Sequence, residues 1–143
     1  MKYTVAPATN VLVIRDGKVL LSRRANTDWL NGHLCLPGGH VEEGETPQQA
    51  LTREIKEELG VTVREDELKF ICSVYSTSTP TSYASFEFQL VNTSYDFINN
   101  EPDRCSELVW ADVDSLPEET IKRFRMVIEE GYQQGSSYIV TDD

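Results

Sequence analysis

Three glutamates lie close together on a segment that the sequence predicts to be helical. In TPQQALTREIKEELG, the side chains of Glu54, Glu57 and Glu58 fall within an arc of roughly 100°, because each helical residue turns by about 100°. Like charges at this spacing repel each other, so helix stability alone does not call for them. Two interpretations are open at this point. The carboxylates form a solvated acidic face, or they bind a hard cation such as Mg²⁺ or Mn²⁺, which prefers carboxylate oxygens as ligands.

The predicted helix has recognisable signals at both ends. Thr46 is suited to the N-cap, Pro47 to the first helical position, and Gln49 completes a capping box. Gly60 supplies the left-handed residue that ends a helix. An apolar stripe runs beside the carboxylates and must face the core; it consists of Leu51, Ile55 and Leu59.

The residues before the helix extend the pattern to a known signature. Gly39 is followed after five residues by Glu45, and after seven more by REIKEELGV at 53–61. This arrangement resembles the Nudix box, G-x5-E-x7-R-E-U-x-E-E-x-G-U, where U is aliphatic. Every fixed position is present, and the preceding sequence LPGG at 36–39 is similar to the usual lead-in. The resemblance to a Nudix domain extends over about residues 5–130.

The resemblance implies an α/β fold, an α/β/α sandwich with a mixed β-sheet between helices, within a single domain over 1–143. It also implies a divalent metal, Mg²⁺ or Mn²⁺, on the loop and helix of the box. Glu54 and Glu58 would be the main ligands, and Glu57 a further ligand or a residue that orients water. The carbonyl of Gly38 or Gly39 would complete the coordination shell.

The remaining box positions have a supporting role in this family. The resemblance implies that Arg53 holds Glu45 and a helix carboxylate in place by salt bridges. It also implies catalysis by Glu45, Arg53, Glu54, Glu57 and Glu58 together, in hydrolysis of a nucleoside diphosphate linked to another group. Which carboxylate is the general base stays open.

Several residues outside the box are candidates for metal binding, catalysis or phosphate binding, and most of them have a purely structural alternative. Glu101, in a polar connection at 92–104, is a candidate extra ligand or base, or else a solvated loop residue. Glu87 is a weaker second candidate, expected on the outward half of an alternating strand. Arg23 and Arg24 follow a strand and could contact phosphates, and the alternative is a charged strand end. His40 directly follows Gly39 and could donate to a bound phosphate, and the alternative is a structural role in a turn.

Aromatic and sulfur-containing residues offer fewer functional indications. Trp29 lies in a loop expected at the mouth of the site, where it could stack on a base, whereas Trp110 is expected in the core. Cys35, Cys72 and Cys105 form no C-x-x-C pair, so we expect reduced, mostly buried thiols in a cytoplasmic protein. A catalytic thiol is the alternative.

Composition limits the class of partner. The chain has 143 residues, with 13 Lys and Arg against 24 Asp and Glu, a net charge of −11. Such a balance argues against a nucleic-acid duplex or an anionic membrane surface, both of which select for basic patches. No apolar run approaches the roughly 18 residues of a membrane span, and the N-terminal residues are not expected to be a secretory signal.

The elements that must position these residues follow the order β, β, α, β, β, β, α. Asp16-Gly17 predicts a hairpin turn between runs at 11–14 and 19–21. Further strands are predicted at 68–75, 82–92 and 108–113. Pro117 is expected to open a second helix of about 15 residues that ends near Gly131, and the last few residues of the chain are expected to fray.

The leading functional hypothesis is a MutT-like enzyme that converts a nucleoside triphosphate to a monophosphate and pyrophosphate. The alternative substrates are nucleotide sugars such as ADP-ribose, and dinucleoside polyphosphates. A nucleotide-binding regulatory module without catalysis is a remote alternative, because such descendants usually damage the box. A homodimer is common among proteins resembling this one.

Overall fold

The computed structural model describes residues 1–78 and 80–143, and this part of the chain folds into two sheets with helices on both faces of the larger one. Its elements in chain order are β1 (Ala6–Leu12), β2 (Ile14–Arg15), β3 (Lys18–Arg24), β4 (Leu34–Cys35), β5 (Gly38–His40), α1 (Pro47–Leu59), β6 (Leu68–Ser76), β7 (Tyr83–Leu90), β8 (Cys105–Asp112), α2 (Lys122–Met126) and β9 (Tyr138–Thr141). A short 3₁₀ helix (Glu65–Glu67) precedes β6, and a π-helical segment (Val127–Gln133) continues α2.

The larger sheet is mixed and has the strand order β5-β1-β7-β6-β9. The β1–β7 and β6–β9 pairs are parallel, and β1–β5 and β6–β7 are antiparallel. On one face, the apolar stripe of α1 packs against buried residues of β1 and β7. On the other face, α2 and the π-helical segment pack on β6 and β9. The expected α/β/α sandwich with a mixed sheet between helices is confirmed.

The smaller sheet is built around β3. This strand pairs with β2, β4 and β8, all antiparallel. The Asp16-Gly17 turn is confirmed, because both residues have positive φ, 52° and 75°, and join β2 to β3. The apolar run at 11–14 is not one strand, however. It passes from β1 in the larger sheet to β2 in the smaller one.

Both predicted ends of α1 are confirmed. The Thr46 hydroxyl accepts the Gln49 N–H at 3.1 Å, and the Gln49 side chain accepts the Thr46 N–H at 2.9 Å. Gly60 has φ 72° and donates to the Lys56 carbonyl. A Cβ added at Gly60 would lie 2.7 Å from Cγ1 of Ile98, so the exposed Ile98 side chain would also have to shift.

Two expectations for the C-terminal part are wrong. The second helix begins at Lys122, not at Pro117, because the preceding residues run alongside β4: Leu34 N donates to Glu119 O, and Ile121 N donates to Leu34 O, each at 3.0 Å. Residues Tyr138–Thr141 do not fray. They form β9 beside β6, and burial of Ile139 in the core fixes this strand.

Among the described residues, no helix combines the length and apolar character needed to cross a membrane.

Candidate metal and phosphate site

Strand β5 and the last turns of α1 meet at the candidate site. Gly38 on β5 donates its N–H to Oε2 of Glu58 at 2.8 Å, which ties the end of the helix to the edge of the larger sheet. Backbone excludes a side chain at Gly38, and a side chain at Gly39 would force Glu54 to move. A Cβ at Gly38 would collide with the Thr9 carbonyl, and one at Gly39 would lie 2.6 Å from Oε1 of Glu54. The missing side chains therefore let the carboxylates lie directly against the backbone.

Arg53 connects the loop that carries Glu45 to helix α1. Its guanidinium binds both oxygens of Glu45, at 2.8 and 2.9 Å, and Oε1 of Glu54 at 2.8 Å. It also donates to the carbonyl of His40 at 3.1 Å. The hydrogen bonds from Arg53, and then the one from the Glu42 N–H, lower the pKa of Glu45 to about 2. The contacts expected of Arg53 with Glu45 and a helix carboxylate are present in the structure.

Two of the helix carboxylates lie in an environment that disfavours their charge. Burial raises the pKa of Glu58 well above its ordinary value, the charge of Glu54 raises it further, and the Gly38 hydrogen bond opposes this. Burial also raises the pKa of Glu54, with Arg53 opposing and the charges of Glu57 and Glu101 adding to the rise. Clustered carboxyl groups with raised pKa values are typical of functional sites, and a cation placed among them would relieve the repulsion.

Glu101 reaches the same cluster from a distant loop. The segment before it follows the C-terminal end of α1: Ile98 N donates to Leu59 O, and Asn100 N donates to Glu58 O, each at 3.0 Å. The Asn100 side chain also donates to Glu57 O at 3.1 Å. These bonds satisfy helix carbonyls that would otherwise lack partners. They bring Glu101 to a cavity that it lines together with Glu54, Glu57 and Glu58.

A cavity of about 400 Å³ lies over the carboxylates. Its lining includes the predicted residues Arg24, Gly38, Gly39, His40, Glu54, Glu57, Glu58 and Glu101. It also includes the thiols Cys35 and Cys105, and three residues that the sequence did not single out: Ser22, Thr27 and Arg104. The structure does not bring Arg23 to this cavity. Its guanidinium instead binds Glu107 at 3.3 Å and the Gly32 carbonyl at 2.8 Å.

The chemistry of this donor set fits a divalent metal. The available ligands are carboxylate and carbonyl oxygens, the type that Mg²⁺ and Mn²⁺ prefer. Within residues 1–78 and 80–143, no three acidic, His or Cys side chains already stand at metal-binding spacing. Oxygens of Glu54 and Glu58 are engaged by Arg53 and by Gly38. Direct coordination by several carboxylates would therefore need side-chain rotation.

Glu87 does not face outward as expected. Its side chain is 1% exposed, because both faces of the larger sheet are covered and β7 has no outward half. Ser85 donates to its Oε1 at 2.7 Å, while Oε2 has no hydrogen-bond partner among the described residues. Burial raises the pKa of Glu87 to about 7, with opposing effects from the Ser85 hydrogen bond and the Arg123 charge.

A second cavity, of about 680 Å³, adjoins the first. The two share wall residues, among them Arg24, Gly38, Gly39, His40 and Glu58. Trp29 lies at the second cavity, as expected for a loop at the site mouth. Trp110 lies elsewhere, under the guanidinium of Arg15 at 4.8 Å and 6.3 Å from the ring of Phe97.

The cysteines are free thiols, and two of them have raised pKa values. Burial raises the pKa of Cys35 to about 11 and that of Cys72 to about 12. A thiol is nucleophilic as its thiolate, so these values disfavour a catalytic cysteine at either position.

Comparisons with known proteins agree with the fold and the box. The chain is 35% identical over 91 residues to the 8-oxo-dGTP diphosphatase of Haemophilus influenzae, covering 64% of this chain and 65% of the relative. It is 42% identical over 72 residues to the ADP-ribose pyrophosphatase of Methanocaldococcus jannaschii, covering 50% of this chain and 40% of the relative. The matches thus span less than two thirds of these curated relatives.

Solved structures extend the likeness over most of the fold. The crystal structure of a MutT NUDIX hydrolase from Burkholderia pseudomallei superposes with a TM-score of 0.80 at 27% identity, covering 89% of this chain and 98% of that one. The NUDIX domain model matches residues 4–130, which contain the whole box and Glu101. The chain therefore belongs to the NUDIX domain family.

Proposed function

We propose that this protein is a metal-dependent hydrolase that converts a nucleoside triphosphate to a nucleoside monophosphate and pyrophosphate. The observation that carries the proposal is the pair Glu54 and Glu58, whose pKa values are raised, at a cavity shared with Arg24. Buried like charges are costly unless a counter-charge joins them. A polyphosphate bridged by divalent cations supplies that charge and explains how an acidic chain holds an anionic substrate.

The residues that would hold Mg²⁺ or Mn²⁺ are oxygen donors on three segments. They are Glu54, Glu57 and Glu58 of α1, Glu101 of the distant loop, and the carbonyl of Gly38 or Gly39. When bound, such a metal neutralises phosphate oxygens and lowers the pKa of a coordinated water.

The side chains of the chain itself divide the remaining work. Arg53 binds Glu45 and Glu54 together, so it holds the loop against the helix and positions the carboxylates beside the cavity. Arg24 and His40 line the cavity and can donate to phosphate oxygens. A carboxylate of the same set accepts the proton of the attacking water.

A substrate panel tests the proposal directly. Purified protein with Mg²⁺ or Mn²⁺ is given the common nucleoside triphosphates, ADP-ribose and a dinucleoside polyphosphate, and monophosphate, pyrophosphate and inorganic phosphate are measured separately. The proposal expects monophosphate and pyrophosphate from a triphosphate, and loss of turnover with a chelator. Glu43→Gln is a matched control because Glu43 is exposed and lies outside both cavities.

Two alternatives correspond to other outcomes of the panel. The likeness to an ADP-ribose pyrophosphatase supports a nucleotide-sugar substrate, and turnover of ADP-ribose with no triphosphate turnover would move the assignment there. Binding without turnover of any compound would favour a regulatory module, against which the intact box argues.

The free cysteines bear on the cellular setting of the protein. Three free cysteines support a reducing compartment, so we propose the cytoplasm. The homodimer suggested by the family resemblance stays a prediction, and light scattering during size-exclusion chromatography would test it.

A further inference from the structure

Arg123 stands in an unusual environment at the second cavity. Its guanidinium carbon lies 5.2 Å from the ring centroid of Trp29, 5.1 Å from that of Tyr83 and 4.9 Å from that of Phe124. A cation among several aromatic rings is held by their electron-rich faces, which fix where it stands without using its N–H groups.

The stack continues on both sides of Arg123 toward the candidate catalytic cavity. Arg24 lies 4.9 Å from the Trp29 ring centroid, and the ring of His40 stacks on Tyr83 with centroids 5.8 Å apart. Both end residues line the first cavity as well as the second. Trp29 is therefore already occupied by two guanidinium groups, which argues against its sequence-predicted role of stacking on a base.

The side chain of Arg123 has no hydrogen-bond partner in the part of the chain that the structure describes. Its side chain makes neither a hydrogen bond nor an ion pair with any residue in 1–78 or 80–143; only its backbone N–H is bonded, to Oδ2 of Asp143 at 3.0 Å. A guanidinium carries five donors in a fixed fork and no acceptor. Arg123 thus offers donors to whatever occupies the second cavity.

The charge of the cavity favours a neutral ligand with acceptors over a second anion. Its charged lining residues are two arginines, Arg24 and Arg123, and three acids, Asp28, Glu58 and Asp143. An isolated phosphate or carboxylate gains little in such a setting. A flat heterocycle with two neighbouring acceptors instead matches the geometry of the guanidinium fork.

Two other polar wall groups, Ser85 and Asn10, do not impose a single hydrogen-bonding pattern on a base. Ser85 donates its hydroxyl hydrogen to Glu87, so toward the cavity it acts as an acceptor. Asn10 also lines the cavity, and its amide can either donate or accept. Arg24 already donates to the Trp29 carbonyl and the Thr27 hydroxyl, so Arg123 is the guanidinium of this cavity whose side-chain donors have no partner among the described residues.

We propose that Arg123 is the specificity-determining residue of this site and selects a 6-oxopurine over a 6-aminopurine. A 6-oxopurine presents two neighbouring acceptors, O6 and N7, to which arginine donates in a bidentate manner. Adenine presents an amino donor in place of O6, which faces the guanidinium donors unfavourably. This inference rests on the proposed function, because it assigns the base of the same nucleotide substrate.

The test uses ITP and ATP, which differ in the group at position 6. The wild type is expected to favour ITP over ATP in kcat/KM by roughly ten- to a hundredfold, the order of discrimination by one good bidentate pair. In Arg123→Met the ratio should fall below about threefold through loss on ITP, and Arg123→Lys should behave similarly because lysine lacks the fork. Lys122→Met is the control, since it removes a neighbouring cation that pairs with Asp142 outside the cavity, and it should keep the ratio.

Binding of the monophosphates separates this inference from the proposed function. Calorimetry with IMP and AMP should give the same preference in the wild type and the same loss in Arg123→Met, even if no triphosphate is hydrolysed. Thermal unfolding confirms that each variant is folded. The role of Arg123 would be overturned if the wild type showed no preference between the two bases or preferred adenine. It would also be overturned if the folded Arg123→Lys variant lost equally on both bases.

Discussion

The buried carboxyl of Glu87 should make the stability of the fold depend on pH. Its pKa in the folded protein is about 7, raised from 4.5 chiefly by burial. The folded state therefore holds this proton more tightly than the unfolded state between these two values. The stabilisation that Glu87 contributes is complete below about pH 4.5, decreases as the pH rises from 4.5 through 7, and is constant at higher pH.

The size of the effect follows from the difference in pKa. A rise from 4.5 to about 7 corresponds to a loss on the order of 3 kcal/mol across this range. Glu87→Gln keeps the shape of the side chain and removes the titration. The free energy of unfolding of Glu87→Gln minus that of the wild type should therefore become more positive by about this amount between pH 5 and pH 8.

Urea unfolding at several pH values measures this difference, and any constant cost of the amide cancels because only the change with pH is compared. Glu43→Gln serves as the control, because it removes an exposed carboxyl. Parallel stability profiles for Glu87→Gln and the wild type would refute the reasoning. They would mean that Glu87 titrates alike in the folded and unfolded states.

Three further predictions concern the box. Glu54→Gln and Glu58→Gln should each lower kcat by at least about a hundredfold while the protein stays folded, because each removes a negative charge from a site that acts by electrostatic stabilisation. Steady-state kinetics and circular dichroism check this, and wild-type rates in both variants would contradict it. Arg53→Lys should lower activity, because lysine cannot bridge two carboxylates, but it should retain Mn²⁺ binding in calorimetry. Complete loss of Mn²⁺ binding would mean that Arg53 does more than position its carboxylate partners. Gly60→Ala should destabilise the fold by about 1–3 kcal/mol in urea unfolding, because φ is positive and Ile98 lies in the way; unchanged stability would contradict this.

The parts of the site that could be predicted from the sequence depend on local signals. The ends of α1 are encoded by Thr46, Gln49 and Gly60, all within one turn of the helix ends. The contacts of Arg53 with Glu45 and Glu54 join residues no more than eight positions apart. The helix ends follow from local capping signals, whereas the contacts of Arg53 were expected from the resemblance to the Nudix box.

The parts that were missed depend on contacts between distant segments. Alternation along β7 could not show that both faces of its sheet are covered, so Glu87 was placed outward. The start of α2 is delayed by pairing of the preceding segment with Leu34, which no helix signal near Pro117 reveals. Arg123 was not singled out because its contacts with Trp29 and Tyr83 join segments that are far apart in the chain.

The position of water attack tests the proposed hydrolysis of a nucleoside triphosphate. A nucleoside triphosphate is hydrolysed in ¹⁸O-labelled water with Mg²⁺ or Mn²⁺, and the products are analysed by mass spectrometry. The account predicts cleavage between the α and β phosphates, with monophosphate and pyrophosphate as products and the label in one of them. Label in the monophosphate indicates attack at the α phosphorus, and label in pyrophosphate indicates attack at the β phosphorus. Release of inorganic phosphate alone, with the label in it, would contradict the account.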